Sequence, residues 1–405
     1  MGAEGPRQYF MDNQQMDFET QCILGGCSYG SAEVGEVLST VERIKPGDFD
    51  SWVDEWLATA KRVLAIAEQS ADSGNRVSAR QAFLRAATYF SACLSMIDGS
   101  KDPERRVPIW KEHLRCFEEF CSRLDPPAEK VEVPYGDAPM PGYFFAPDDS
   151  GGPFATVIFN NGSDGPTSAM WSSGVAGALA RGYAAFIFDG PGQNAMLWLH
   201  GIGFRYDWEK VITPVVDYLS SRPDVDPSRL ALSGMSQGGY WVLRALAFEH
   251  RLAAGILDPG VIDVATVMKS KFPKEMLQMV EEGREEEFNA VMQEGMKYMS
   301  EEQRQEMKWR MKPYATDNFY RWIRTALDHQ ARDVVGQVSC PVFIADPDDE
   351  QFWPGQSVEV FEALRCPKTL VRFTREEGAN WHCEPKARLL YDQRMFDWLA
   401  TVMPA

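Results

Sequence analysis

The chain has 405 residues, with 41 basic against 59 acidic side chains and a formal net charge of −18. That balance excludes recognition of nucleic acid through a general basic face. Hydrophobic residues make up 44% and charged residues 25%, the proportions of a globular chain with a large core, and no run approaches the roughly 20 apolar residues needed to span a bilayer.

The opening Met1 to Arg7 lacks the basic start and apolar centre of a secretory signal, so the expected setting is the cytoplasm, with no membrane partner. The eight cysteines form no C-x-x-C pair and no metal-ligand spacing with histidine. They read as free thiols, and no metal or cofactor is expected.

Residues from about 49 to 121 read as helices. Phe49, Trp52, Val53, Trp56, Leu57, Ala60, Val63, Leu64 and Ala67 recur at three- and four-residue spacing behind a candidate cap at Asp48 or Ser51. A second apolar stripe runs from Ala82 to Cys93, and a third helix from Val107 to Leu124. Residues 1–125 are therefore assigned to a helical N-terminal domain. Pro126 and Pro127 then punctuate the chain, and residues 126–405 change to short apolar strands separated by helices.

The strands are expected at 131–135, 142–146, 156–160, 184–189, 230–233, 254–257, 342–345 and 370–373. Their alternation with helices predicts an α/β fold with a mostly parallel sheet covered on both faces. A methionine-rich helical stretch at about 260–335 interrupts the alternation and is expected to form a cap over the strands' carboxyl ends.

Gly234-Met235-Ser236-Gln237-Gly238 lies between a strand-like and a helix-like run, the context of a nucleophile elbow. A sharp strand-to-helix turn strains the serine backbone, and small neighbours let the two elements approach. The Gln237 backbone N–H is then aimed at a developing oxyanion. A serine hydroxyl needs a base, and the base needs a carboxylate to hold its tautomer. His382 follows the last expected strand, and the loop after the preceding strand carries Asp346, Asp348 and Asp349. Asp349 is expected as the acid, with Asp348 as the alternative. The loop Asn160 to Gly165 follows the third strand, so the Ser163 N–H is assigned as second oxyanion donor and Gly162 as the position of close approach to substrate.

At these loops the chain resembles the alpha/beta hydrolases typified by 2,6-dihydropseudooxynicotine hydrolase, together with fungal polyketide-shortening hydrolases. The resemblance rests on Phe188 to Gln193 (Phe-Asp-Gly-Pro-Gly-Gln), the elbow Gly234 to Gly239, the Asp348-Asp349 loop and the Gly378 to His382 loop. It implies an alpha/beta-hydrolase fold and a Ser236, Asp349 and His382 triad. It also implies a cavity between core, N-terminal helices and cap, with Asp164 as a substrate-binding carboxylate.

Two departures bear on substrate: the loop before His382 is a residue longer and carries Trp381, assigned here to substrate contact, and the 349–354 segment is extended. The expected activity is hydrolysis of a carbon–carbon bond beside a carbonyl in a small, partly aromatic or polyketide-like molecule. A carboxylesterase or peptidase, and an acyl transferase or cyclase, are the alternatives, and a homodimer is a possible assembly.

Overall fold

In the computed structural model residues 8–405 are described, so the opening residues behind the reading on secretion lie outside them. Five helices precede the first strand: α1 (Gln14–Gly25), α2 (Val34–Val41), α3 (Phe49–Asp72), α4 (Arg76–Met96) and α5 (Arg106–Cys121). Asp48 caps α3 by accepting from the Ser51 N–H, which resolves the two candidate caps. The α3 stripe of Trp52, Trp56, Ala60 and Val63 is fully buried, and the Trp52 indole N–H donates to the Ala92 carbonyl of α4 at 2.7 Å.

All eight expected strands form. They are β1 (Glu129–Val133), β2 (Met140–Phe145), β3 (Phe154–Asn160), β4 (Ala184–Phe188), β5 (Val225–Met235), β6 (Ala254–Asp258), β7 (Val342–Pro347) and β8 (Lys368–Phe373). They make one sheet in the order β1-β2-β4-β3-β5-β6-β7-β8. The β1–β2 and β2–β4 pairs are antiparallel and the other five are parallel. β3 to β6 are buried along nearly their whole length except at β5's amino end, as a sheet covered on both faces requires.

Two buried clusters flank the sheet. One joins Val157, Phe159, Tyr143 and Phe145 of the sheet to Trp52, Trp56, Phe90 and Phe117 of the N-terminal helices without a break. The other lies under the helices Glu209–Ser220 and Gly238–Leu246, where Trp208 and Trp241 stack at 4.1 Å. The N-terminal helices thus supply the apolar cover that one sheet face needs.

Between β6 and β7, five helices from Thr266 to Leu327 form the expected cap. Val280, Phe288, Met292, Met311, Trp322 and Ile323 give it a small core of its own. Met296, Met307, Met311 and Phe319 border a separate pocket of about 320 Å³ within it. The cap is tied down by the Phe204 N–H donating to the Pro313 carbonyl at 2.8 Å and by Lys312 pairing with Asp98 of the N-terminal segment at 3.0 Å. Among the described residues no helix is long and apolar enough to cross a membrane.

Candidate active site

β5 delivers Ser236 to the centre of the sheet's carboxyl edge. Its φ of 57° is left-handed, a conformation side-chain-bearing residues rarely hold. Its N–H donates to the Asp258 carbonyl at the end of β6 at 2.6 Å. The glycines around it are required by close approach. A Cβ at Gly234 would stand 2.2 Å from the Gly238 carbonyl oxygen, one at Gly238 would stand 2.9 Å from that of Asn160, and one at Gly239 would stand 2.1 Å from that of Pro259. The elbow is therefore specified by its own backbone.

His382, in the loop between β8 and the last helix, faces Ser236: its Nε2 is 2.8 Å from the Ser236 Oγ. Its Nδ1 lies 2.8 Å and 3.0 Å from the two carboxylate oxygens of Glu350. Asp349, the expected acid, is not in this array, and neither is Asp348. Asp349 is held by Arg375 at 2.7 Å and by the Asn380 side chain at 2.6 Å, while Asp348 pairs with Arg372.

The reason is backbone direction. The Asp348 N–H donates to the Phe373 carbonyl and the Asp349 N–H to the Asn380 carbonyl, so the chain still runs alongside the neighbouring strand's extension and sends both carboxylates outward. At the next residue the Glu350 N–H turns back onto the Pro347 carbonyl, and the side chain enters the core, where Oε1 also accepts from the Phe352 and Trp353 N–H groups. The longer glutamate side chain spans the gap to the imidazole.

The Glu350 and His382 side chains are 5% and 6% exposed. Burial opposes both charges. For Glu350 the facing imidazole and the two backbone N–H groups outweigh it and hold the carboxyl below its ordinary range; for His382 the Glu350 carboxylate outweighs it and raises the imidazole's proton affinity. An imidazole that donates from Nδ1 to a carboxylate presents a basic Nε2 to the serine hydroxyl, the arrangement for general-base activation.

The loop after β3 lies against the nucleophile, where a Cβ at Gly162 would stand 2.9 Å from the Ser236 Cβ. The Gly162 N–H is taken by the Asn161 side chain at 2.8 Å. The Ser163 and Gln237 backbone N–H groups donate to no backbone or side-chain acceptor among the described residues. The Phe188 to Gln193 motif explains how the loop is held: the Gln193 side-chain amide donates to the carbonyls of Gly162 at 2.7 Å and Asn161 at 3.0 Å.

Asp164 retains accessible surface although protein encloses it, and so does Cys22 of α1. That combination, at two groups whose charges act on one another, places α1 beside the loop after β3. Glu19, one turn before Cys22, shares it: burial and then the Asp164 charge push its carboxyl up to about 8. His382 and the cap's Arg310 also act electrostatically on Asp164. Trp381 is buried, with its carbonyl accepting from the Glu384 N–H and Lys386 over its ring, contacts that pack the histidine loop.

Sequence reading did not single out Glu350, Glu19 or Phe352. The Phe352 ring lies 4.6 Å from His382 and 6.4 Å from Phe18 of α1, and α1 is so close to the histidine loop that a Cβ at Gly25 would collide with the Pro385 carbonyl. The run Asp346-Pro347-Asp348-Asp349-Glu350 was the available signal for the acid. α1 carries no such signal because its buried side includes Asp17, Thr20 and Gln21.

Sheet order and elbow define an alpha/beta hydrolase fold. The chain belongs to the prolyl oligopeptidase family, whose profile matches residues 173–404. It is 36% identical over 265 residues to 20-hydroxy-prefusarin hydrolase FUS2 of Gibberella moniliformis, covering 64% of this chain and 63% of that protein. Hydrolase acrC of Aspergillus aculeatus is 29% identical over 416 residues, covering 96% and 97%. The chain spans somewhat less than two thirds of the length of the first curated relatives it matches. The crystal structure of 2,6-dihydroxy-pseudo-oxynicotine hydrolase superposes with a TM-score of 0.72 at 22% identity over 94% of this chain and 95% of that one, a likeness of fold that includes the helical N-terminal segment.

Proposed function

We propose that the protein is a serine hydrolase that cleaves a carbon–carbon bond next to a carbonyl in a small, partly aromatic or polyketide-like molecule. The observation that carries this reading is the hydrogen-bonded series Ser236, His382 and Glu350, with α1 and the cap standing over the loop beside it. Ser236 Oγ adds to the carbonyl carbon as its proton passes to His382 Nε2, and the Gln237 and Ser163 N–H groups receive the oxyanion. Collapse breaks the bond to the departing carbon, whose electron pair is held by a neighbouring carbonyl as an enolate and is protonated by the imidazolium. Water, deprotonated by His382, then releases the acid from Ser236. Gly162 and Asp164 are the proposed substrate contacts beside the nucleophile.

The names of the relatives support a substrate of this class. The peptidase reading is favoured by the family to which the chain belongs, but the approach of Glu19 of α1 and the cap's Arg310 to Asp164 favours a compact molecule over a polypeptide. The test is incubation with a panel of aryl and alkyl β-diketones, matched esters and peptide amides, with products identified by mass spectrometry. Paired acid and ketone products from diketones support the proposal. Turnover confined to esters or amides overturns it.

A further inference from the structure

Beside the elbow lies a buried charged cluster that the proposed chemistry does not use. Arg388, the first residue of the last helix, is 5% exposed. Its Nη1 donates to Asp258 Oδ2 at 3.0 Å and to the Cys383 carbonyl at 2.8 Å, and its Nη2 to the Ser173 carbonyl at 3.3 Å. Asp258 ends β6, and its own carbonyl accepts the Ser236 N–H and, at 3.3 Å, the Cys383 thiol. One guanidinium therefore grips the residue that holds the nucleophile's backbone and the carbonyl of the residue that follows the histidine.

That grip acts on strained chain. Cys383 and Glu384, immediately after His382, have φ values of 58° and 41°. Two consecutive side-chain-bearing residues in the left-handed region persist only where their surroundings over-determine them.

The charges around Arg388 do not balance. Asp258, Glu384 and Asp392 all face it, and Glu384 and Asp392 have no measurable exposure. Asp258 Oδ1 and both Glu384 oxygens meet no hydrogen-bond donor among the described residues, whereas Asp392 Oδ2 accepts from the Tyr29 hydroxyl at 2.5 Å. Two adjacent carboxylates in this setting cannot both ionise, and a proton on Glu384 directed at Asp258 supplies the missing donor. Burial, reinforced by the Asp258 charge, drives the Glu384 carboxyl well above its ordinary range.

We propose that Arg388 and Asp258 are positioning residues for the reaction, fixing the Ser236 backbone and the His382 loop in one frame, and that the Asp258 carboxylate joins Glu350 in stabilising the imidazolium. Glu384, whose carboxyl burial keeps protonated, supplies the donor that faces Asp258. The charges that act most on His382 are Glu350 from the loop after β7, Asp258 from β6 and Asp164 from the loop after β3. Those facing Asp258 are Arg388, Glu384, Cys383 and Tyr391, with Asp392 farther along the last helix. This inference rests on the serine-hydrolase reading.

The experiment measures the rate of Ser236 labelling by an alkyl fluorophosphonate from about pH 5 to 9, on the full chain and on Asp258→Asn, Glu384→Gln and Glu384→Leu. Loss of the Asp258 charge lowers the proton affinity of His382, so in Asp258→Asn the acidic limb of the labelling profile moves down by roughly half a pH unit or more and the plateau rate falls about tenfold. Glu384→Gln, which supplies an amide donor in place of the acid, stays within a few-fold of the parent rate with its limb in place, while Glu384→Leu falls about as far as Asp258→Asn. The limb position is read on folded molecules, so a loss of stability does not mimic it. An unmoved limb in Asp258→Asn, or a Glu384→Gln variant as impaired as Glu384→Leu, overturns the proposal alone. Failure of the parent enzyme to label at all overturns the serine-hydrolase reading together with it.

Discussion

The elbow after β5 and the loop after β7 each deliver one side chain to His382, but they are held by different forces. The elbow is held by backbone contacts, with Gly234 and Gly238 packed where no Cβ fits and the Ser236 N–H tied to the Asp258 carbonyl. The acid loop has its course set by the Asp348 and Asp349 N–H groups on the Phe373 and Asn380 carbonyls, but its carboxylates are held by side chains, with Asp348 on Arg372, Asp349 on Arg375 and Asn380, and Glu350 on His382. Backbone packing tolerates almost no exchange of residue. A row of acidic side chains permits reassignment, because adjacent residues differ only in the direction in which the chain sends them. Substitutions in the elbow should therefore be all-or-none, and those in the acid loop graded by position.

The largest effect is expected at the nucleophile. Ser236→Ala removes the attacking atom while keeping the backbone, and kcat should fall by about 10³-fold or more with an unchanged circular dichroism spectrum. Glu350→Gln is next: the amide keeps the volume but does not stabilise the imidazolium, and a loss of about 10² to 10⁴ in kcat is expected. Its pH profile should move as well. In the parent protein the Glu350 carboxylate, working against burial, raises the imidazole's proton affinity, so the acidic limb of activity is displaced upward from the ordinary histidine value. In Glu350→Gln the acidic limb should fall toward that range or below it. The same interaction holds Glu350 below its ordinary value, so its contribution to stability is present above the unfolded carboxylate pKa and is lost as pH falls through the folded one.

Gly234→Ala tests the other side of the comparison. The added methyl group meets a carbonyl oxygen at 2.2 Å, which neither β5 nor the following helix can relieve without moving. A loss of about 2 kcal/mol or more in unfolding free energy is expected, read by denaturant titration, with activity falling as the elbow shifts. An unchanged denaturation midpoint would show that the elbow is less rigid than its contacts imply.

The difference between the two regions also explains what was legible in the chain. The elbow, the histidine after β8 and all eight strands could be read because local backbone rules and apolar runs specify them. The acid could not, since Asp348, Asp349 and Glu350 have equivalent local chemistry and the choice is made by Asn380 and Phe373, which bind the backbone of this loop from the far side of β8's end. α1 was missed for a related reason. It buries Asp17 against the N–H groups of Tyr9, Phe10 and Met11 and brings Glu19 and Cys22 within electrostatic reach of Asp164, so no apolar period marks it. Polar residues on an enclosed side of a helix read as surface until the fold closes around them.

The smallest effect is expected at Asp349, and it decides between the two accounts of this loop. Asp349→Asn removes a charge that is paired with Arg375, an exposed side chain, and accepts from Asn380. Exposed pairs contribute little, about 0 to 1 kcal/mol, and an asparagine in that place can still accept from the Asn380 amide. The substitution should therefore lower kcat less than about tenfold and leave the acidic limb nearly where it is, because the imidazole is bonded to Glu350 while Asp349 is turned to Arg375 and Asn380. What it loosens is the Asn380 backbone, two residues before the base, so any change should appear as a modest drop in kcat at all pH values alike. A loss at Asp349 as deep as that at Glu350, accompanied by a shifted limb, would mean that the loop can present either carboxylate to His382, and that the graded side of the comparison conceals a second working arrangement.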